Sequence, residues 1–166
     1  MIQNDFFNNK ECYVIESNDK YNNYHNRDGA EFLAKSFFSY LKYDVFSAPE
    51  SNVIDFAIRK NKKFYTVQVK GSSFRKDKEV YEYEKRRKNI SYRSNGDRVL
   101  SHWQEYAFED IQIFAFVAND IQKILLQFND TKKNTQRLTR QDFIDFEKNK
   151  EFLTNQIIKC IDEKGL

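Results

Sequence analysis

The sequence predicts a mixed domain, α/β or α+β, and three observations predict it. Ala30, Leu33, Ala34, Phe37, Phe38 and Leu41 recur at the spacing of one helix face. Two β-rich runs, Val53–Ile58 and Phe64–Lys70, flank the short polar link Arg59-Lys60-Asn61-Lys62 and read as a hairpin. The run Ile111–Ala118 is continuously apolar, as expected of a strand covered on both faces. In order, the elements read α, ββ, β, ββ, α.

Each element has its own signal. Residues 1–27 are Asn-rich; Cys12–Ile15 reads as a short strand and Ser17–Arg27 as polar and turn-like. Asp28-Gly29 opens the first helix, with Asp28 as its N-cap. Tyr43–Ser47 reads as a short strand and Pro49-Glu50-Ser51-Asn52 as a turn. Gly71 is expected to end the second hairpin strand, and Val80–Glu84 alternates as another strand. Lys85–Asp97 is basic and loop-like, and residues 99–108 suit a short helix. Asn119-Asp120 turns the chain into the strand Lys123–Phe128. Thr139 caps a last helix whose apolar positions are Phe143, Phe146, Phe152, Leu153, Ile157, Ile158 and Ile161.

The 166 residues suffice for one domain with a continuous core. No apolar run approaches the ~18 residues of a spanning helix, so no membrane is expected. Aromatics at 16% argue against disorder. Met1-Ile2-Gln3-Asn4-Asp5 has neither a basic nor an apolar leader region, which makes the cytoplasm the default location. Cys12 and Cys160 form no metal spacing or disulfide framework. His25 and His102 do not suit a zinc centre. There is no Gly-rich phosphate loop and no Ser or Cys in a recognisable nucleophile setting.

Net charge is +3, but Arg59–Arg98 holds 14 Lys/Arg against 5 Asp/Glu, a local +9, and the rest carries −6. A basic block in an otherwise acidic chain points to a polyanion partner.

Polar residues also stand where a core pattern calls for apolar ones. Asp55 lies inside Val53–Ile58. Gln68 and Lys70 share a strand face with Thr66, opposite Tyr65, Val67 and Val69. Glu31 heads the helical stripe of Ala34, Phe38 and Leu41, so its acid is expected to point toward the sheet. Burying such groups without partners costs several kcal/mol. A buried ion pair, Asp55 or Glu31 with Lys70, would account for them, as would solvated positions at a sheet edge. The four together suit hydrolysis of a phosphodiester. Oxygen ligands hold a hard cation that neutralises the phosphate and acidifies a water, and a lysine beside them orients or deprotonates that water or stabilises the transition state.

Glu31 in Gly29-Ala30-Glu31-Phe32-Leu33-Ala34, Asp55 in Val53-Ile54-Asp55-Phe56-Ala57, and Gln68-Val69-Lys70 resemble the motifs of the PD-(D/E)xK nuclease superfamily. The spacings are 24, 13 and 2, over residues 28–128. The pattern is most similar to the cyanobacterial group I intron homing endonuclease branch, whose last motif is also Gln-x-Lys. Archaeal Holliday-junction resolvases look similar but carry Glu there. Two departures stand out: Pro49 is not adjacent to Asp55, and Gln68 replaces the usual acid.

The resemblance implies a restriction-endonuclease-like αβββαβ core with a mixed central sheet and a C-terminal helix. It divides the chain into an extension (1–27), a nuclease core (28–130) and a helical segment (131–166) that packs on the core or in a dimer interface. It implies a Mg²⁺-dependent endonuclease acting on DNA, with Mn²⁺ as an alternative ion; a catalytically inactive nucleic-acid-binding relative is the other reading. Asp55 would be the principal ligand, with Gln68, Glu31 and the Val69 carbonyl completing the set, and Lys70 the base or charge stabiliser. Beside such a core, Lys85, Arg86, Arg87, Lys88, Tyr92, Arg93 and Arg98 suit phosphate contacts, and Ser72, Ser73 and Arg75 suit the scissile strand. Cutting both strands implies a homodimer or higher homo-oligomer.

Overall fold

The computed structural model describes residues 19–49, 53–92, 98–129 and 133–164, with side chains described outside 19–25 and 89–102. The elements are α1 (Asp19–Tyr40), β1 (Asp44–Ser47), β2 (Phe56–Lys60), β3 (Lys63–Ser72), β4 (Tyr81–Glu84), β5 (Arg87–Tyr92), β6 (Arg98–Gln104), β7 (Ile113–Ala118), β8 (Lys123–Phe128), β9 (Thr135–Leu138), α2 (Arg140–Lys148) and α3 (Lys150–Glu163).

The expected fold class holds: this is an α+β domain with a mixed central sheet. Five strands lie in the order β1-β2-β3-β7-β8, and only the β3–β7 pair is parallel. The β2–β3 hairpin turns on Asn61 and Lys62, both at positive φ (52° and 68°), the twist that a two-residue hairpin loop needs.

β7 explains the central layer. All six of its residues are buried, and they alternate between two cores. Ile113, Ala115 and Val117 join Ala30, Ala34 and Phe38 of α1, Phe56, Ile58 and Val67 of the hairpin, and Ile158 and Ile161 of α3. Phe114, Phe116 and Ala118 face the other way, with Tyr81, Tyr83, Tyr106, Leu138 and Phe143. Each fully buried large apolar side chain contributes about 1.5–3 kcal/mol.

Several local expectations are corrected. Asp28 is no N-cap, because it lies inside α1, Asp19–Tyr40. The Asn-rich turn carries no apolar stripe that would have announced a helix. The strand expected from Val53 starts only at Phe56, and Asp55 precedes it. Gly71 does not end β3 but lies within it. A Cβ there would sit 3.2 Å from the Ala30 Cβ and 3.2 Å from Asn119 Nδ2, so glycine permits the close approach of α1 to the sheet.

Of the basic loop, Arg87–Tyr92 is the strand β5, which pairs with β6 in a two-stranded ribbon; 93–97 lie outside the described residues, and the helix expected over 99–108 is instead β6 and the turn after it. Its strand character depends on a partner paired across the ribbon, which local periodicity does not reveal. β9, a polar run with no strand signal, pairs with β4. The last helix is two, broken at Asn149. Thr139 caps α2 as expected, in a reciprocal box with Asp142. Cys12–Ile15 and most of the turn at 49–52 lie outside the described residues. Among the described residues no helix is long and apolar enough to cross a membrane.

Candidate active site

The site forms where β2 leaves β3. Their ladder runs from the hairpin turn to the pair Phe56–Val67, and Asp55 N–H makes the last backbone bond, to the Val67 carbonyl at 3.1 Å. Beyond it, on this edge of β3, a side chain replaces the neighbouring strand. Asp55 Oδ2 accepts the Val69 backbone N–H at 2.6 Å and the Gln68 side-chain N–H at 2.5 Å. A strand that departs one residue early therefore lets a carboxylate sit against the β3 backbone.

Gln68 is buried beside Asp55, and its amide oxygen Oε1 is buried with no hydrogen-bond partner. Such orphaned oxygens are uncommon in a folded chain, because each forfeits its hydration. The amide N–H of Gln68 also lies 3.4 Å from the Val69 carbonyl.

Two residues further along β3, the Lys70 ammonium donates to the Tyr106 hydroxyl at 3.2 Å and to the Arg86 carbonyl at 3.4 Å. It stands 4.9 Å from the Tyr106 ring centroid. Burial pushes the Lys70 amine down to about 8, against the opposing pull of Asp55 and Glu84. Burial likewise raises the Asp55 carboxyl, opposed by the Val69 N–H and reinforced by Glu31.

Glu31 does not point into the core. It is half-exposed and paired with Lys35 at 2.7 Å, one helical turn on. The buried ion pair with Lys70 that the sequence left open is thus not what these residues form: Glu31 binds Lys35, and Lys70 binds uncharged acceptors.

Glu31, Asp55, Gln68, Val69 and Lys70 all line one cleft of about 560 Å³. Ser72, Ser73, Arg86, Arg87 and Lys88 line it too. Arg75 lies outside that lining, paired with Asp77 and Glu82. Lys85 is placed differently from its neighbours: it is 4% exposed, with its ammonium 5.1 Å from the Phe114 ring centroid. Arg93 lies outside the described residues, as do the side chains of Tyr92 and Arg98.

The cleft also holds residues that sequence reasoning missed. Arg27 and Glu31 are four apart on α1, a spacing that put both on one face and could have flagged Arg27. Glu84 alternates with the buried Tyr81 and Tyr83 on β4, and Arg86 grips it at 2.7 and 3.0 Å. Tyr106 had no signal, since it lies where a helix was expected.

Among the described residues no three His, Cys, Asp or Glu cluster as a metal site. Four residues that line the cleft bear oxygens that could hold a hard cation: the Asp55 carboxylate, the Glu31 carboxylate now paired with Lys35, the Gln68 amide and the Val69 carbonyl. Oxygen donors suit a hard cation such as Mg²⁺, and an amide oxygen left without a hydrogen bond fits that use.

The fold and cleft define an α+β domain with an acidic and amide centre under a basic rim. The fold is similar to that of a bacterial homing endonuclease, I-Ssp6803I, with a TM-score of 0.61 at 15% identity, over 70% of this chain and 78% of that one. At that identity the likeness is one of fold. No family model and no curated protein matches the sequence.

Proposed function

We propose that this chain is a metal-dependent endonuclease that hydrolyses phosphodiester bonds in DNA, of the PD-(D/E)xK kind. One observation carries the reading: Asp55, Gln68 and Lys70 line one cleft at the edge of β3, with Glu31 on its wall. The fold likeness to a homing endonuclease supports the same class.

Asp55, Gln68, Glu31 and the Val69 carbonyl would hold Mg²⁺, or Mn²⁺ in its place. The ion supplies charge neutralisation at phosphorus and a water acidified for attack. Lys70 orients or deprotonates the attacking water, or stabilises the charge that builds on the phosphate. Arg27, Arg86, Arg87 and Lys88 hold flanking phosphates, while Ser72 and Ser73 contact the strand being cut. Cleavage of both strands calls for two such clefts, which a homodimer or higher homo-oligomer supplies.

The test is incubation of supercoiled, linear, branched and single-stranded DNA with Mg²⁺, Mn²⁺ or a chelator. Wild type is expected to cut with the metal and not without it, and Asp55→Ala and Lys70→Ala to lose cutting. Equal cutting by the variants would sink the assignment.

A second reading is a nuclease-fold protein that binds nucleic acid without cutting it. It is favoured by one observation: Gln68 stands where the superfamily usually has an acid, which removes a charge from the cation site. It predicts salt-sensitive DNA binding that is indifferent to Mg²⁺, and no nicking.

A further inference from the structure

We infer that Tyr106 is the positioning residue of Lys70, holding its ammonium at a fixed place on the cleft wall. The inference rests on the reading of the cleft as a phosphodiester-hydrolysing site.

An ammonium has three N–H donors on a flexible four-carbon stem. Two of the three in Lys70 are taken by fixed acceptors: the Tyr106 hydroxyl at 3.2 Å and the Arg86 carbonyl at 3.4 Å. The Tyr106 ring lies against the same group, with its centroid 4.9 Å from Nζ, within the range of a cation–π contact. With two donors and one side of the ammonium occupied, the third donor is left for the cleft.

Tyr106 is itself rigidly held. It is 7% exposed and meets the Phe114 ring edge-on at 5.9 Å. The buried Asn129 donates to its carbonyl at 3.3 Å and to the Ile111 carbonyl at 2.8 Å. Ile111 N–H closes the intervening turn onto the Ala107 carbonyl at 3.0 Å. Tyr106 is thus tied to the first residues before β7, the strand parallel to β3. Lys70 is held from a neighbouring element and not by its own strand.

Tyr106→Phe removes the hydroxyl and keeps the ring. With saturating Mg²⁺ and DNA it is expected to cut about 10–100-fold more slowly, the order of loss that misplacing a reacting group produces. KM and DNA affinity are expected to stay at wild-type values, and the melting temperature to fall only modestly, as the buried ammonium loses one acceptor. In wild type, the Lys70 ε-methylene protons, assigned by NMR with Lys70→Arg, are expected to be ring-current-shifted and inequivalent. Tyr106→Phe is expected to keep the shift and lose the inequivalence.

Wild-type cutting rates in Tyr106→Phe, with Lys70→Ala inactive, would overturn the inference and leave the nuclease reading standing. A rate that falls only in step with DNA affinity, or with the fraction folded at the assay temperature, would mark a structural role and also overturn it. If wild type cuts no DNA, the nuclease reading fails, and the NMR signature alone decides. Shifted, inequivalent protons support the positioning; unshifted, equivalent protons in wild type overturn it.

Discussion

The side chain of Gln68 donates to Asp55 Oδ2 at 2.5 Å, and the oxygen of the same amide is buried without a partner. One amide thus has opposite halves in opposite states, one satisfied and one not. A structural amide in a core would bond through both. Gln68→Glu is expected to replace this bond with two carboxylates in contact, which raises the pKa of one of them. In chelator the variant should melt below wild type, and with Mg²⁺ the order should narrow or reverse. Thermal melts with and without Mg²⁺ check this. A variant that melts identically in both conditions would speak against a cation between the two side chains.

The buried carboxylate of Asp55 is costly to the fold. Its native carboxyl lies above the ordinary value, mainly through burial. The protonated form is therefore favoured by folding: Asp55 adds stability in acid, and that stability is lost as pH rises from the unfolded value through the raised native one. At neutral pH the buried charge is a net burden. Asp55→Asn should then melt no lower than wild type at pH 7 in chelator, while Mg²⁺-dependent cutting falls by about 10²–10⁴-fold. Mg²⁺ should raise the melting temperature of wild type and leave the variant unmoved.

Three buried tyrosines predict an alkaline limit. Burial pushes Tyr65 and Tyr106 up to about 12 and Tyr83 higher still. Their neutral forms are favoured by folding. This stability is complete below pH ~10, where the unfolded phenols are also neutral, and it drains away as pH rises from 10 toward 12. Denaturant melts across pH 8–12, with phenolate absorbance followed in parallel, should show stability falling above pH 10. Phenolate should appear late, together with unfolding.

Gly71 sets how close α1 comes to β3. Gly71→Ala brings a methyl to 3.2 Å from Ala30 Cβ, which has no flexible tip to swing aside, and to 3.2 Å from the Asn119 amide, which has. A loss of about 1–3 kcal/mol is expected from overpacking, read from denaturant midpoints. In the double variant with Ala30→Gly, part of that loss should return, because the two substitutions act at one contact.

The basic rim should bind without reading sequence. Arg87 and Lys88 line the cleft on β5. Replacing either by Ala should weaken DNA binding alike across sequences and lower the log–log salt slope by about 1. Fluorescence anisotropy titrations at several salt concentrations measure both. An unchanged slope would remove that residue from the phosphate contacts.

The chain's own pattern determined the mixed α+β class, the β2–β3 hairpin, the double-sided burial of β7 and the Thr139 cap. Each of these depends on neighbours in sequence, so periodicity and local hydrogen bonding suffice to reveal it. The out-of-place polar residues Asp55, Gln68 and Lys70 were legible for the same reason, since a two-residue strand period shows which positions break it. Glu31 stands out in the sequence and lines the cleft, but it does not point into the core, because Lys35 one turn on takes its carboxylate.

Tertiary structure alone decided the rest. Asp55 meets Val69 only because β2 leaves β3 at Phe56. The β4–β9 pair needs partners distant in the chain, so Thr135–Leu138 carries no strand signal of its own, and Arg98–Gln104, although paired with the neighbouring strand β5, lacks the alternation that would announce a strand. Tyr106 reaches Lys70 across 36 residues, through an anchor at Asn129 that no local pattern announces. Side chains that meet across sheets are placed by packing, which is where this cleft acquires its geometry.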